Sequence, residues 1–528
     1  MLTNSSESTG PSRWARRVIA VAAGLFILAL LAQFAAARLV DSELIREREQ
    51  AAPAGGGVDI RIGDARFDLL RGRIDLEDVT LEGPGGLRME AERVDVRDLP
   101  LRSMAGDGPA WLGKVHLERP VLHVPPRSIP DSTVPVAAAS TDSFELHVER
   151  LVVREGTLIG LREAAADPAP GFPRFELAGI DVVASDLVLG SRGLVEHPSS
   201  VEVRTGSMER LSADSIMKLS FASLHYDGDA RTMVIESPRY EPTLDDSDFF
   251  AALDRRKTRL RISAARVEAR EYDLLERIRG NLVARAFQFD SVRVDVFANK
   301  RLPSAGREPW LPNKLIRNFG GRLAVDSVLA DVHIDYTELP MEEVREPGRI
   351  SFEDMRVVST GVSNDDPSMP LVVATTMRLF GAPAETRMAI PLDEGAFRMK
   401  FTGSVGPVDL RRLSSITVPL QGIEIQDGRM EGMRFDIDVE ERHAGGSVWL
   451  VYDDLDVQIV DRESGEGGLF DDIKSFVANT FVLDGDNLVE DGAAPEPGRV
   501  ALYFPPRTAF FSRVWIPVRE GMMSIAKD

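Results

Sequence analysis

The sequence of 528 residues contains no cysteine. That excludes thiol nucleophiles, cysteine-based zinc sites and disulfides together, so stability must come from burial and backbone pairing. Other absences narrow the chemistry further. No G-x-S-x-G, Walker A, H-E-x-x-H or G-x-G-x-x-G pattern occurs. The histidines are scattered, and His116, His123 and His147 fall on expected strands, where a solvent-facing or hydrogen-bonded imidazole is the ordinary reading. The densest acidic run, Asp245-Asp246-Ser247-Asp248, lacks the glycine and closing glutamate of an EF-hand loop and reads as a helix cap or solvated loop. Asp453-Asp454 and Asp471-Asp472 read the same way. Neither enzymatic chemistry nor a cofactor is expected. Basic charge is also in deficit, 63 Lys and Arg against 84 Asp and Glu, for a net −21. A polyanion would be repelled by that field, which argues against nucleic acid as a partner.

What is present begins with an apolar run. Val18–Ala37 (VIAVAAGLFILALLAQFAAA) carries no charge, and as a helix it spans roughly 30 Å, the hydrocarbon thickness of a bilayer. Arg13, Arg16 and Arg17 precede it, which places residues 1–17 in the cytoplasm and the body on the far side. A cleaved signal peptide is the rival reading, because Ala35-Ala36-Ala37 offers a small-residue cleavage site. The run exceeds the usual signal core of about 7–15 residues, which favours a retained single-pass anchor. Residues 38–57 follow as a polar stalk and the breaker-rich linker AAPAGGG (Ala51–Gly57).

From Val58 the pattern turns to period two, the signature of half-buried strands. Phase breaks, as between Leu76 and Val79, predict bulges or turns. Strands are expected at Phe144–Ile159, Val201–Arg204, Met217–Tyr226, Met233–Glu236, Arg259–Arg270, Ala286–Ala298, Arg322–Tyr336 and Arg349–Thr360. They continue at Val372–Leu379, Met388–Ile390, Phe397–Thr402, Ile423–Val439 and Gly446–Val460. Residues 125–143 lack periodicity and read as a loop excursion. Helices are expected only at Asp245–Leu253, Tyr272–Ile278 and Gly467–Thr480. No regular βαβ alternation appears, so the class is mainly β and mostly antiparallel. The body is placed at 58–461 and a C-terminal segment at 462–528. The crowded apolar tail Arg507–Asp528 reads either as an amphipathic, membrane-touching or docking element or as a last element that plugs the sheet, with Pro517 interrupting any single helix.

Internal matches suggest repetition. Asp290–Val296 (DSVRVDV) recurs as Asp326–Val332 (DSVLADV), and Gly72–Val79 (GRIDLEDV) resembles Gly348–Met355 (GRISFEDM). A looser element ends a strand in an acidic or amide residue before glycine, at Arg154-Glu155-Gly156 and Gln426-Asp427-Gly428. The order of anchor, DARFDLLRGRIDLEDVTLEG (Asp64–Gly83) and VHLERPVLHV (Val115–Val124) resembles the AsmA-like, TamB-related envelope proteins. FRMKFTGSVGPVDLRRLSSITVPLQGIEIQDGRMEGMRFDIDV (Phe397–Val439) and GGSVWLVYDDLDVQIVD (Gly445–Asp461) extend the resemblance. It implies an elongated, curled, repeating β-groove, apolar inside, anchored in the inner membrane with a periplasmic body, conducting phospholipid toward the outer membrane. Ile74, Leu76, Val292, Val294, Val296, Val328, Val332, Ile350 and Phe352 are the candidate groove residues. Outer-membrane or periplasmic proteins are further partners in the alternative reading, a non-enzymatic scaffold for outer-membrane protein assembly that pairs through exposed strand edges.

Overall fold

The computed structural model describes residues 59–68, 71–82, 88–99, 110–124, 145–160, 175–190, 193–194, 198–212, 215–303, 309–340, 346–393, 395–459, 487–488 and 496–525. The features expected at 1–17, 18–37, 38–57, 125–143 and 467–480 lie outside the described residues. Among the described residues no helix is long and apolar enough to cross a membrane. The chain is mainly β, with strands that pair antiparallel for the most part. It divides into two compact units.

The first unit takes 59–215 with 219–235 and 273–280. Its long strands are β1 (Arg73–Glu82), β2 (Arg88–Arg97), β3 (Ala110–Glu118), β4 (Glu145–Gly160) and β5 (Phe175–Gly190). Neighbours are antiparallel except β3 and β4, which run parallel. One face is a closed core of Leu76, Val79, Leu81, Val94, Val96, Val115, Leu146 and their neighbours. On the other face Asp75 and Asp95 sit directly opposite each other across β1 and β2. Two like charges in register repel, and guanidinium groups resolve the conflict. Arg73 Nε lies 2.8 Å and Arg93 Nη2 3.0 Å from Asp75, while Arg73 and Arg97 hold Asp95. Hydrogen bonding from Arg73, then from Arg93, holds the Asp75 carboxyl below its ordinary range.

The second unit takes 216–218, 236–272 and 281–525. Two short strands, Arg259–Ser263 and Arg266–Arg270, pair with β6 (Leu282–Asn299). There follow β7 (Leu323–Leu339), β8 (Gly348–Ser363), β9 (Leu371–Leu379), β10 (Ala382–Ile390) and β11 (Arg398–Val405). β12 (Ile423–Glu440), β13 (His443–Ile459) and β14 (Gly498–Tyr503) complete the row. Each strand pairs with the next, antiparallel everywhere except between β6 and β7. The two matching segments Asp290–Val296 and Asp326–Val332 thus lie on adjacent parallel strands. They are staggered, because Val292 stands beside Val332.

Phase breaks in the sequence are left-handed residues in mid-strand. Asp78 (φ 52°), Glu155 (φ 52°), Ser291 (φ 53°) and Asp354 (φ 48°) interrupt β1, β4, β6 and β8. The matched segments Gly72–Val79 and Gly348–Met355 carry theirs at the same aligned aspartate. Residues Glu155-Gly156 and Asp427-Gly428 do not end strands as expected. β4 and β12 run through them, because a bulge absorbs the extra residue and pairing resumes.

The helices are short, apart from the last. α1 (Asp246–Ala251) starts at Asp245, whose Oδ1 accepts from Asp248 N–H at 2.9 Å, so the acidic run is a cap. α2 (Leu274–Ile278) is capped by Asp273, and α3 (Pro312–Arg317) opens on proline. α4 (Ser414–Gln421) lies against β8 and β12, and α5 (Phe510–Ile525) lies against β12, β13 and β14. Contrary to expectation, α5 runs through Pro517. The lost hydrogen bond costs about 3 kcal/mol in an exposed helix, but here Pro517, Val518 and Met523 are buried on the sheet, and that burial offsets it. Buried Arg513 ties the helix down by donating to the Glu440 and Glu441 carbonyls at 3.1 and 2.7 Å. Close approach is possible because Gly521 faces Gly498 and Val448; any Cβ there would overlap the Val448 side chain.

Replacing Gly521 with Val should therefore lower the urea midpoint by an amount corresponding to about 1–3 kcal/mol, the usual cost of overpacking; an unchanged midpoint would show that α5 does not need this contact. Asp75→Asn should destabilise near neutral pH. Because the folded carboxyl titrates below its unfolded value, its contribution is complete above about pH 4–5 and is lost as pH falls through the folded value. Urea melts of the two proteins should converge in acid.

Candidate functional site

The period-two pattern gives β6, β7 and β8 one apolar and one polar face, and the register aligns the apolar residues into rows. One row runs Ile262, Val294, Ile334, Phe352 and Leu379 across five strands. A second runs Leu260, Val296, Tyr336 and Ile350. Val292, Val332 and Met355 make a third, and Phe287, Val328, Phe289, Ala330 and Val357 extend the face along the strands. Every residue in these rows is half-buried: none belongs to a closed core and none is fully exposed.

The bulges keep this face single. Phe289 pairs with Ala330 and Val292 with Val332, so three residues of β6 span what two of β7 span. Without left-handed Ser291, Val292, Val294 and Val296 would turn to the polar side. Asp354 does the same for β8, returning Met355 to the side of Phe352.

The apolar band is bounded at both strand ends by charge. At one end Glu338, 2% exposed, accepts from the Tyr336 hydroxyl and pairs with Lys300 Nζ at 3.4 Å. Burial, and then the Glu338 charge, push the Tyr336 phenol above its ordinary value. At the other end Arg285 pairs with Glu271 at 2.8 Å. From Val328 to Tyr336 the band measures about 26 Å along the strand, at roughly 3.3 Å per residue. The opposite face of the same strands is laced with ion pairs, Arg261–Asp295 at 3.4 Å and Arg356–Asp331 at 3.5 Å among them.

Farther along the sheet the same face closes. Phe401, Phe435, Ile437 and Val448 are buried where α5 covers the final strands. The rows named above remain half-exposed instead, although Ser359, Leu371 and Thr375 on the same face are buried and Leu420 of α4 packs on Gly348.

Of the groove residues expected from sequence, Val292, Val294, Val296, Val328, Val332, Ile350 and Phe352 share this one half-exposed face of the second unit. Ile74 and Leu76 belong to the first unit. Leu76 is part of its closed core and Ile74 packs against it. Sequence reasoning missed Leu260, Ile262, Ile334 and Tyr336. For Ile334 and Tyr336 the signal was the unbroken alternation beyond Val332.

No known family model matches this chain, and no curated protein matches it.

A half-exposed face and a closed core respond differently to truncation. Leu81→Ala, in the closed core of the first unit, should cost about 2–5 kcal/mol. Ile334→Ala, on the half-exposed face, should cost less than half as much in a urea melt, since part of that side chain already meets solvent. Equal losses would mean that the face is packed.

Proposed function

We propose that the half-exposed apolar face of the second unit holds the acyl chains of phospholipid, and that the protein is a lipid conduit of the cell envelope. The apolar run at Val18–Ala37 would anchor it in the inner membrane with the body in the periplasm, and lipid would pass toward the outer membrane along an elongated, curled sheet. One observation carries the reading. An apolar band of rows three to five strands wide is left half-exposed, bounded by charge at both strand ends and backed by an ion-paired polar face. Ordinary soluble sheets cover such a face, as α5 covers the final strands here. The resemblance of the ordered motifs to AsmA-like proteins points the same way.

The mechanism requires no catalytic group. Each buried CH₂ contributes about 0.8 kcal/mol, so an acyl chain is held firmly by a band of this length. Movement along the band exchanges one set of Val, Ile and Phe contacts for an equivalent set, so no step has to expose the whole chain to water. The headgroup stays at the polar margin.

A photo-crosslinking residue placed at Val294, Ile334 or Phe352 in the full chain should capture phospholipid in cells. The same residue at Arg293 or His333, which alternate to the other face, should not. The double variant Val294→Asp, Ile334→Asp should recover several-fold less lipid by mass spectrometry while remaining folded. Absence of lipid adducts at all three apolar positions would overturn the proposal.

A further inference from the structure

The polar side of the second unit carries a feature that acyl-chain binding does not use. Between β8 and β13 this side forms a concavity of about 670 Å³. Its floor is β11, where the hydroxyls of Thr402 and Ser404 stand two residues apart on one face. Arg387 of β10 lies opposite Thr402, and Arg434 of β12 lies opposite Ser404. Two guanidinium groups thus flank two hydroxyls diagonally. Trp449 of β13 pairs with Arg434 and forms part of the wall; the guanidinium carbon stands 4.8 Å from its ring centroid.

The charge inventory of the concavity is uneven. Arg356 is engaged with Asp331, and Lys400 neutralises Asp436 and Asp438. Arg387 and Arg434 have no carboxylate partner among the described residues, and the Thr402 and Ser404 hydroxyls make no hydrogen bond there. Among the described residues Glu385, opposite Ser404 on β10, is the one acidic lining residue without a cationic partner. In a chain of net charge −21, carboxylates are plentiful, yet none of those among the described residues engages these two guanidinium groups. The aromatic contact restrains Arg434, which lowers the ordering cost of using it.

We infer that this concavity is an oxyanion site that takes a phosphate monoester. Guanidinium forks match phosphate oxygens with paired N–H donors, and the two hydroxyls supply further donors between them. Trp449, Val358 and Ala374 give the wall an apolar part, suited to the organic portion of an ester. The ester could belong to a soluble metabolite or to the headgroup of an amphiphile.

Calorimetric titration of the full chain at low ionic strength tests this with inorganic phosphate and octyl phosphate as probes. Both should bind with a dissociation constant below about 1 mM. Arg387→Gln and Arg434→Gln should each weaken binding about 10-fold, and Arg387→Lys, which keeps the charge but loses the fork, should fall between. Glu385→Gln should tighten binding, because it removes the facing negative charge. A preference for octyl phosphate that disappears in Trp449→Ala would identify an amphiphile's headgroup; equal affinities for the two probes would identify the phosphate of a soluble metabolite. The double variant Val294→Asp, Ile334→Asp should leave phosphate binding intact, which separates this site from the acyl-chain face. Absence of binding by both probes, an affinity in the Arg387→Gln or Arg434→Gln protein equal to that of the unsubstituted chain, or weakening by Glu385→Gln would overturn the assignment. These side chains are at the surface, and unchanged urea midpoints of the variants would confirm that folding is not the cause.

Discussion

A long strand keeps its apolar residues on one face only while its side chains alternate without a slip. Strands of 16 to 18 residues in a twisted sheet depart from that ideal, and here single left-handed residues restore it. Asp78, Glu155, Ser291 and Asp354 each adopt a backbone conformation that costs an L residue about 1–2 kcal/mol. The return is coherence of a whole half-strand. Val292, Val294 and Val296 are on the same side as Phe287 and Phe289 because one serine between them is turned. Both the closed core of the first unit and the half-exposed face of the second depend on that device.

The second use of the same sheet face is set by what covers it. Over the final strands α5 lies so close that glycine is needed at Gly498 and Gly521, and buried Arg513 fastens the helix to the Glu440 and Glu441 carbonyls. Phe401 and Ile437 are correspondingly buried. In the rows that cross β6 to β8 the side chains are of the same chemical kind, yet they remain half-exposed. Composition alone does not distinguish these regions; coverage does. The polar face is divided in a similar way, between guanidinium groups already satisfied by carboxylates and the two in the concavity that are not.

Most strands of the second unit were legible from period two, because they alternate cleanly over eight or more residues. β5 was not. Within Phe175–Gly190 both Gly179 (φ 62°) and Asp186 (φ 55°) are left-handed, and two slips in one strand erase the pattern. β14 is too short to show a period, and α5 was hidden by Pro517. Alternation also reports which face a residue takes, not which strand lies beside it, so the parallel pairing of β3 with β4 and of β6 with β7 could not be read. Seven of the candidate groove residues fall on one face for the reason expected. Leu76 has the same pattern but lies in a closed core, because periodicity cannot tell an open face from a covered one. The oxyanion concavity was invisible in sequence, since Arg387, Thr402, Ser404 and Arg434 come from three strands and meet only through register.

The parallel join between β6 and β7 has a consequence for how this molecule acquires its structure. On one side of it Arg259–Asn299 can zip up through near neighbours, and on the other β7 to β13 can do so between strands consecutive in the chain, with α4 inside the connection from β11 to β12. The join itself must wait for the connection from Lys300 to Arg322, with α3 inside it, to be carried from one end of the strands to the other. Contacts that close such a crossover incur loop entropy before they gain any energy. Two prefolded blocks and a late seam are the expected order of events. The rows Val292–Val332, Val294–Ile334 and Val296–Tyr336 lie along that seam, so the apolar face becomes continuous only in the last stage of folding.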